Sequence, residues 1–300
     1  MMSIKKFINF ISKSLLFFFS QKKFGFVQGH EYINSYQMKK IYTRTAVILC
    51  GGKGTRLGLL GKRIPKCLVE VQNRPIMWYI INILRKNSFN HFILPIGYKG
   101  HMIKKFFKLN KTFKDLNIEI VETGLNTNIA KRIFLIKKKI ISKNFLLLNA
   151  DVIFDFDLNK IYQQHENKKF DMTFIGCENQ LAYGTVGIIN GKIVGFDRNI
   201  TFNAVKVKNR NNFTAFAYSG MPIMNVDLLK MKFKNYANFE KKLFPKLIKK
   251  FKCNFVDFTG FWHSIDNTKD IEILKKINNK NKFNGVRKIL KKIYKFNEKK

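Results

Sequence analysis

Ala46-Val47-Ile48-Leu49-Cys50-Gly51-Gly52-Lys53-Gly54-Thr55-Arg56-Leu57-Gly58, with Pro65-Lys66 just behind it, decides how this chain is read. An apolar run stops at a loop of glycines, a threonine and two cations. The run is too short for a buried helix and ends at turn residues, so it predicts a buried strand. Glycines let backbone N–H groups face an anion with no Cβ in the way. Arg56 and Lys66 add the full charges that a polyphosphate needs. Taken alone, the loop can also be a tight strand-exit turn. It lacks the Gly-Lys-Ser/Thr ending of a Walker A loop. It also misses the dinucleotide spacing, because the glycine after Gly54 is Gly58.

Outward from this loop the chain alternates. Apolar runs predict strands near 45–50, 91–97, 117–122 and 144–150, with helices over Ile76–Lys86, His101–Leu109 and about Asn128–Lys139 between them. Such alternation gives an α/β fold with a mostly parallel sheet covered by helices, whose ligands bind at the carboxyl ends of the strands. Gly51-Gly52 and Asp151 both follow predicted strands and so are expected at one crevice. Past Asp171 the pattern shortens. Asp171–Cys177, Tyr183–Ile189 and Lys192–Phe196 read as a small antiparallel extension over that crevice, and helices return at Asn238–Lys250, Asn267–Lys280 and Gly285–Lys295.

Asp151 closes Asn149-Ala150-Asp151 behind the apolar run that starts at Phe145. A carboxylate there is costly unless paired or on a metal, and Mg²⁺ takes one or two carboxylates plus substrate phosphates. It can equally be a turn or cap residue. Asp266, behind Gly260-Phe261-Trp262-His263-Ser264-Ile265, poses the same choice: second metal carboxylate or helix N-cap, a task Asn267 can take instead.

Bulk properties narrow the classes. Three hundred residues with 46% hydrophobic content suit a globular catalytic domain over 44–282. The four cysteines and five histidines are scattered, which argues against a zinc site or a disulfide framework and for a reducing, cytoplasmic setting. The net charge of +38 is spread along the chain beside abundant Asn, Ile and Phe. It therefore reads mostly as compositional drift, with a share serving anionic substrates and no specific nucleic-acid module. Residues 1–43 form an N-terminal extension. Ile4, Phe7, Ile8, Ile11, Leu15 and Phe19 share one helical face, with Lys5, Lys6 and Lys13 off it. That suits a peripheral membrane contact through residues 1–20. A helix packed on its own domain, or a true start at Met38, is preferred. Residues 283–300 form a basic C-terminal helix, whose apolar stripe of Val286, Ile289, Leu290, Ile293 and Tyr294 suits core packing or a homo-oligomer.

These stretches resemble the sugar-1-phosphate nucleotidyltransferases, and within them the glucose-1-phosphate cytidylyltransferases. The resemblance runs in family order through Ala46–Leu57, Pro65-Lys66, Arg74-Pro75-Ile76-Met77-Trp78, Gly97–Lys104, Thr123–Thr127 with Arg132, Asn149–Asp151, and Gly260-Phe261-Trp262 with Asp266. It implies a Rossmann-like fold and transfer of a nucleoside monophosphate from an NTP, expected to be CTP, to a sugar 1-phosphate. Pyrophosphate leaves, and the nucleotide sugar would serve polysaccharide biosynthesis. It also implies the roles. Leu49, Gly51, Gly52, Lys53, Gly54, Thr55, Thr127 and Arg132 contact nucleotide. Arg56, Lys66 and Asp151 are catalytic, and Asp151 and Asp266 hold Mg²⁺. Tyr183, Gly184 and Arg198 face the sugar phosphate. The chain departs from the family at Ile129-Ala130-Lys131-Arg132, in place of Thr-Gly-Gly-Arg, at Ala150 in place of glycine, and at Phe196-Asp197-Arg198-Asn199, in place of Phe-x-Glu-Lys-Pro. These departures leave room for another nucleotide, another sugar, or a non-catalytic relative that binds a sugar nucleotide. A charge-driven nucleic-acid or membrane binder is the rival from another class.

Overall fold

Strand Thr45–Leu49 lies inside a seven-stranded sheet because it has no polar face to offer water. Ala46 and Ile48 enter one hydrophobic layer, and Val47 enters the other. A strand buried on both sides needs helices over both faces. The computed structural model describes residues 44–180, 185–197, 201–202, 204–206, 214–231, 239–257 and 261–276. The sheet runs Cys253–Val256, Met172–Ile175, Ile223–Asn225, Asn144–Asn149, Thr45–Leu49, His91–Ile96, Asn117–Glu122. All neighbours pair parallel except around Ile223–Asn225, which is antiparallel to both of its partners.

Helix Ile76–Lys86 buries Ile76, Met77, Ile80, Ile81 and Leu84 in one layer, joined by Leu158, Ile161 and Tyr162 of helix Leu158–Asn167. Helices Ile129–Ile136 and Phe239–Lys250 cover the other face with Ile133, Ile136, Leu243, Phe244 and Leu247. The predicted strands at 45–50, 91–97, 117–122 and 144–150 therefore stand side by side in the parallel part of the sheet.

One expectation is corrected. Asp171–Cys177 does not open the antiparallel extension, because Met172–Ile175 is a strand of the main sheet. Met172, Thr173 and Ile175 are fully buried, and an exposed hairpin has no place for such a run. The separate hairpin is Thr185–Ile189 with Lys192–Asp197. The expected helices over residues 1–20 and Gly285–Lys295 lie outside the described residues.

His165 joins helix Leu158–Asn167 to the sheet through a 2.8 Å hydrogen bond between its Nδ1 and Thr173 Oγ1. Burial pushes its pKa down to about 4. The unfolded chain therefore takes up a proton near pH 6.5, before the folded one does. Stability is full above that pH and falls as pH drops from 6.5 towards 4, by on the order of 3 kcal/mol. Urea melts across this window should show that loss in the native chain and a shallower one in His165→Gln. An equal loss in both would refute the assignment.

Candidate active site

The crevice opens at the carboxyl ends of two neighbouring strands. Thr45–Leu49 pairs in parallel with Asn144–Asn149, and Leu49 stands opposite Asn149. The chain leaving one becomes the glycine loop, and the chain leaving the other reaches Asp151. The crevice encloses about 580 Å³, and its lining includes Leu49, Gly51–Arg56, Lys66, Leu125–Ile129, Arg132 and Asn149–Asp151.

Glycine is required at two loop positions for different reasons. Gly54 has φ 63°, a left-handed turn that starts the short 3₁₀ turn Thr55–Leu57. At Gly51 a Cβ would run into the guanidinium of Arg132. Gly52 and Lys53 are exposed at the loop tip, and Thr55 follows at the rim.

Lys66 starts a 3₁₀ turn directly behind Pro65. Its Nζ lies 2.6 Å from Asp151 Oδ2 and 2.9 Å from Asp266 Oδ1. Arg56, whose side chain is 73% exposed, reaches the same Asp266 oxygen at 2.8 Å. Partial burial raises the Asp266 carboxyl pKa, but the Lys66 ammonium and the Arg56 guanidinium outweigh it and hold the pKa below the usual carboxylate value. A small antiparallel ribbon brings the carboxylates together: Val152–Asp155 pairs with Phe261–Ser264, and Val152 faces Ser264. Just beyond the ribbon, Ile265 N donates to Asp151 O at 2.8 Å. Asn267 Oδ1 accepts from Lys269 N, and the Asp270 carboxylate accepts from Asp266 N and Asn267 N. The helix end is thus capped by Asn267 and Asp270, and the Asp266 side chain is left to the cations and to Ser264 Oγ, which donates to its Oδ2 at 3.3 Å. Asp151 caps no helix. Asp157 caps the next one, accepting from Lys160 N.

Two oxygen-donor carboxylates converging on one cationic point suit a hard divalent ion. Among the described residues no third His, Cys, Asp or Glu joins them. That fits Mg²⁺, which leaves room for substrate oxygens and water.

Arg132 and Thr127 also line the crevice, but their side chains bind the protein itself. Arg132 is 4% exposed and donates to Gly51 O at 3.0 Å, to Ile96 O at 3.1 Å and to Thr123 Oγ1. Thr127 Oγ1 donates to Thr123 O at 2.5 Å. Tyr183, Gly184 and Arg198 lie outside the described residues. Two cysteines that are distant in sequence also meet here. Cys50 and Cys67 are both buried at the crevice, Cys50 Sγ donates to Ile48 O at 3.0 Å, and burial, followed by the neighbouring Cys67, pushes the Cys50 thiol well up. Each directly adjoins a site residue, Gly51 or Lys66, and that adjacency was the available signal.

Against known proteins, the Nucleotidyl transferase family pattern matches residues 45–199. A probable glucose-1-phosphate cytidylyltransferase from Bacillus subtilis (strain 168) is 32% identical over 179 residues, which are 53% of this chain and 70% of that protein. The mannose-1-phosphate guanylyltransferase catalytic subunit beta of Xenopus tropicalis is 27% identical over 229 residues, 75% of this chain and 62% of that subunit. Among solved structures, HddC from Yersinia pseudotuberculosis superposes with a TM-score of 0.59 at 19% identity, covering 79% of this chain and all of that one. At that identity the likeness speaks for the shared Rossmann-like fold.

Proposed function

We propose, on the premise that this chain belongs to the nucleotidyl transferase family and within it to the sugar-1-phosphate nucleotidyltransferases, that it transfers CMP from CTP to a sugar 1-phosphate. The observation that carries the transfer is the Lys66 ammonium held between Asp151 and Asp266, facing the glycine loop, and the choice of CTP is supported by the likeness to the cytidylyltransferase. A phosphate oxygen of the sugar phosphate attacks the α-phosphorus, the bond from that phosphorus to the bridging oxygen of the β-phosphate breaks, and pyrophosphate leaves. The attacking oxygen is already anionic, so no side-chain nucleophile is needed. The difficulty is bringing two anions together, and positioned cations meet it.

Loop amides from Gly51 to Thr55 would cradle the nucleotide phosphates. Arg56, exposed at the rim, would exchange its ion pair with Asp266 for the β- and γ-phosphates and the departing pyrophosphate. Lys66 is short of solvent and close to the loop, so it would bridge the reacting phosphates. Asp151 and Asp266 would hold Mg²⁺, which when bound supplies Lewis-acid charge and a template for the phosphates. The product is an activated glycosyl donor, suited to surface-polysaccharide assembly in the cytoplasm.

A second reading, transfer of GMP, is favoured by several guanylyltransferases among the relatives, one of them, for D-glycero-alpha-D-manno-heptose 1-phosphate, 31% identical. Pyrophosphate release from CTP, UTP, GTP, ATP and dTTP, each against a panel of sugar 1-phosphates with Mg²⁺, separates the two. CTP is expected to lead, and a lead by GTP would select the second reading. Salt-sensitive DNA retention with no pyrophosphate from any pair would overturn both.

A further inference from the structure

We infer that Asn126 is the side chain that reads the nucleobase, and that Arg132 serves the site as a positioning residue without touching the nucleotide. This rests on the nucleotidyl-transfer reading and deepens it.

The crevice has two chemically different walls. The loop from Gly51 to Arg56, with Lys66 and Asp151, carries the charges. The stretch Leu125–Ile129 carries none, so a nucleotide with its phosphates on the first wall presents its base to the second. Most polar side chains on and behind that second wall are already committed. Thr123 Oγ1 donates to Ile96 O at 2.8 Å and accepts from Arg132. Thr127 Oγ1 is spent on Thr123 O. Asn128 Oδ1 accepts from Lys131 N at 2.9 Å as the helix cap. The Arg132 guanidinium lies behind the loop on two backbone carbonyls and a hydroxyl, tying the glycine loop at Gly51 to the strand end at Ile96. Turning it outward would break these bonds and leave buried acceptors unpaired, at a cost of about 1–3 kcal/mol for each.

Asn126 is different. It is exposed on the crevice wall, and its amide makes no hydrogen bond among the described residues. Leu125 and Ile129 flank it, 51% and 36% exposed. Two apolar side chains around one free amide suit a flat base, which needs cover on its faces and a polar partner at its edge. A carboxamide sets one donor group beside one acceptor. It therefore pairs with a base edge that also offers one of each; cytosine does so with N4–H and N3, the other bases do so at different places on the ring, and the fixed place of the amide decides which is met. A carboxylate only accepts, and so favours an edge with two adjacent donors, as guanine has at N1–H and N2–H.

The test follows from that difference. The full chain and its Asn126→Asp, Asn126→Ala and Arg132→Met variants are assayed with the five nucleotides, with kcat and KM read separately and nucleotide affinity measured by calorimetry without sugar phosphate. Asn126→Asp should raise the GTP-to-CTP ratio of kcat/KM at least about tenfold, chiefly through KM. Asn126→Ala should compress the five nucleotides to within about threefold of one another. Arg132→Met should weaken all five by a common factor and leave their ranking intact. An unchanged ranking in Asn126→Asp, or a ranking altered more by Arg132→Met, would overturn the inference. If the native chain releases no pyrophosphate but binds nucleotides, the transfer reading fails by itself, and the calorimetric ranking still decides on Asn126.

Discussion

Lys66→Ala is expected to lower pyrophosphate release by about a thousandfold, the size of effect that follows removal of one fixed charge from a transferring group. The lysine side chain is 14% exposed and holds two carboxylates at 2.6 and 2.9 Å. Without it, Asp151 and Asp266 confront each other with Arg56 alone to screen them, and like charges at short range raise a carboxyl pKa. The variant should also take up Mn²⁺ more tightly than the native chain when no nucleotide is present, because the competing ammonium has gone. Kinetics with the best substrate pair, with a thermal melt to show that the fold persists, check the first effect. Paramagnetic titration checks the second. Turnover within tenfold of native would remove Lys66 from the reaction, and unchanged Mn²⁺ affinity would mean that the carboxylates do not receive the ion.

Asp151→Asn should cost about as much, three orders of magnitude in kcat, with little change in stability. The substitution keeps shape and hydrogen-bonding reach but removes the charge. Lys66 retains Asp266 as an ion-pair partner, and the hydrogen bond from Ile265 N to the residue-151 carbonyl is backbone only. The loss therefore isolates the carboxylate. Full activity in this variant, or activity of the native chain that survives chelation of divalent ions, would sink the assignment of Asp151 and Asp266 to Mg²⁺.

Much of this arrangement was legible before any coordinates. Val47 and Ile93, and Ile48 and Leu148, are apolar neighbours in a run with no polar face, and such runs permit few places other than the middle of a covered sheet. Asn267 beside Asp266 offered a cap that leaves the Asp266 carboxylate to other partners, and the structure places Asn267 in that role, because capping chemistry is local. What stayed hidden was non-local. Asp171–Cys177 read as part of the antiparallel extension because the partners of its strand Met172–Ile175, Ile223–Asn225 and Cys253–Val256, are three- and four-residue strands too short to announce themselves. The direction of the Arg132 guanidinium was hidden too, because a family position does not say which way a guanidinium turns. Its three acceptors come from residues 51, 96 and 123, which only folding gathers.

The ribbon of Val152–Asp155 with Phe261–Ser264 carries a consequence for biosynthesis. It staples Asp151 to a residue 115 positions later, so the part of the chain matched by the family pattern, residues 45–199, holds only one of the two carboxylates. Domains fold from the N-terminus as they leave the ribosome. On the proposed roles, a nascent chain that has emerged only as far as Asp151 holds the glycine loop, Lys66 and one of the two carboxylates, and lacks the second ligand that the reaction needs. A product that ends before residue 266 is therefore expected, on the same roles, to be catalytically silent, and the reaction waits until residue 266 has cleared the ribosome and docked beside Asp151.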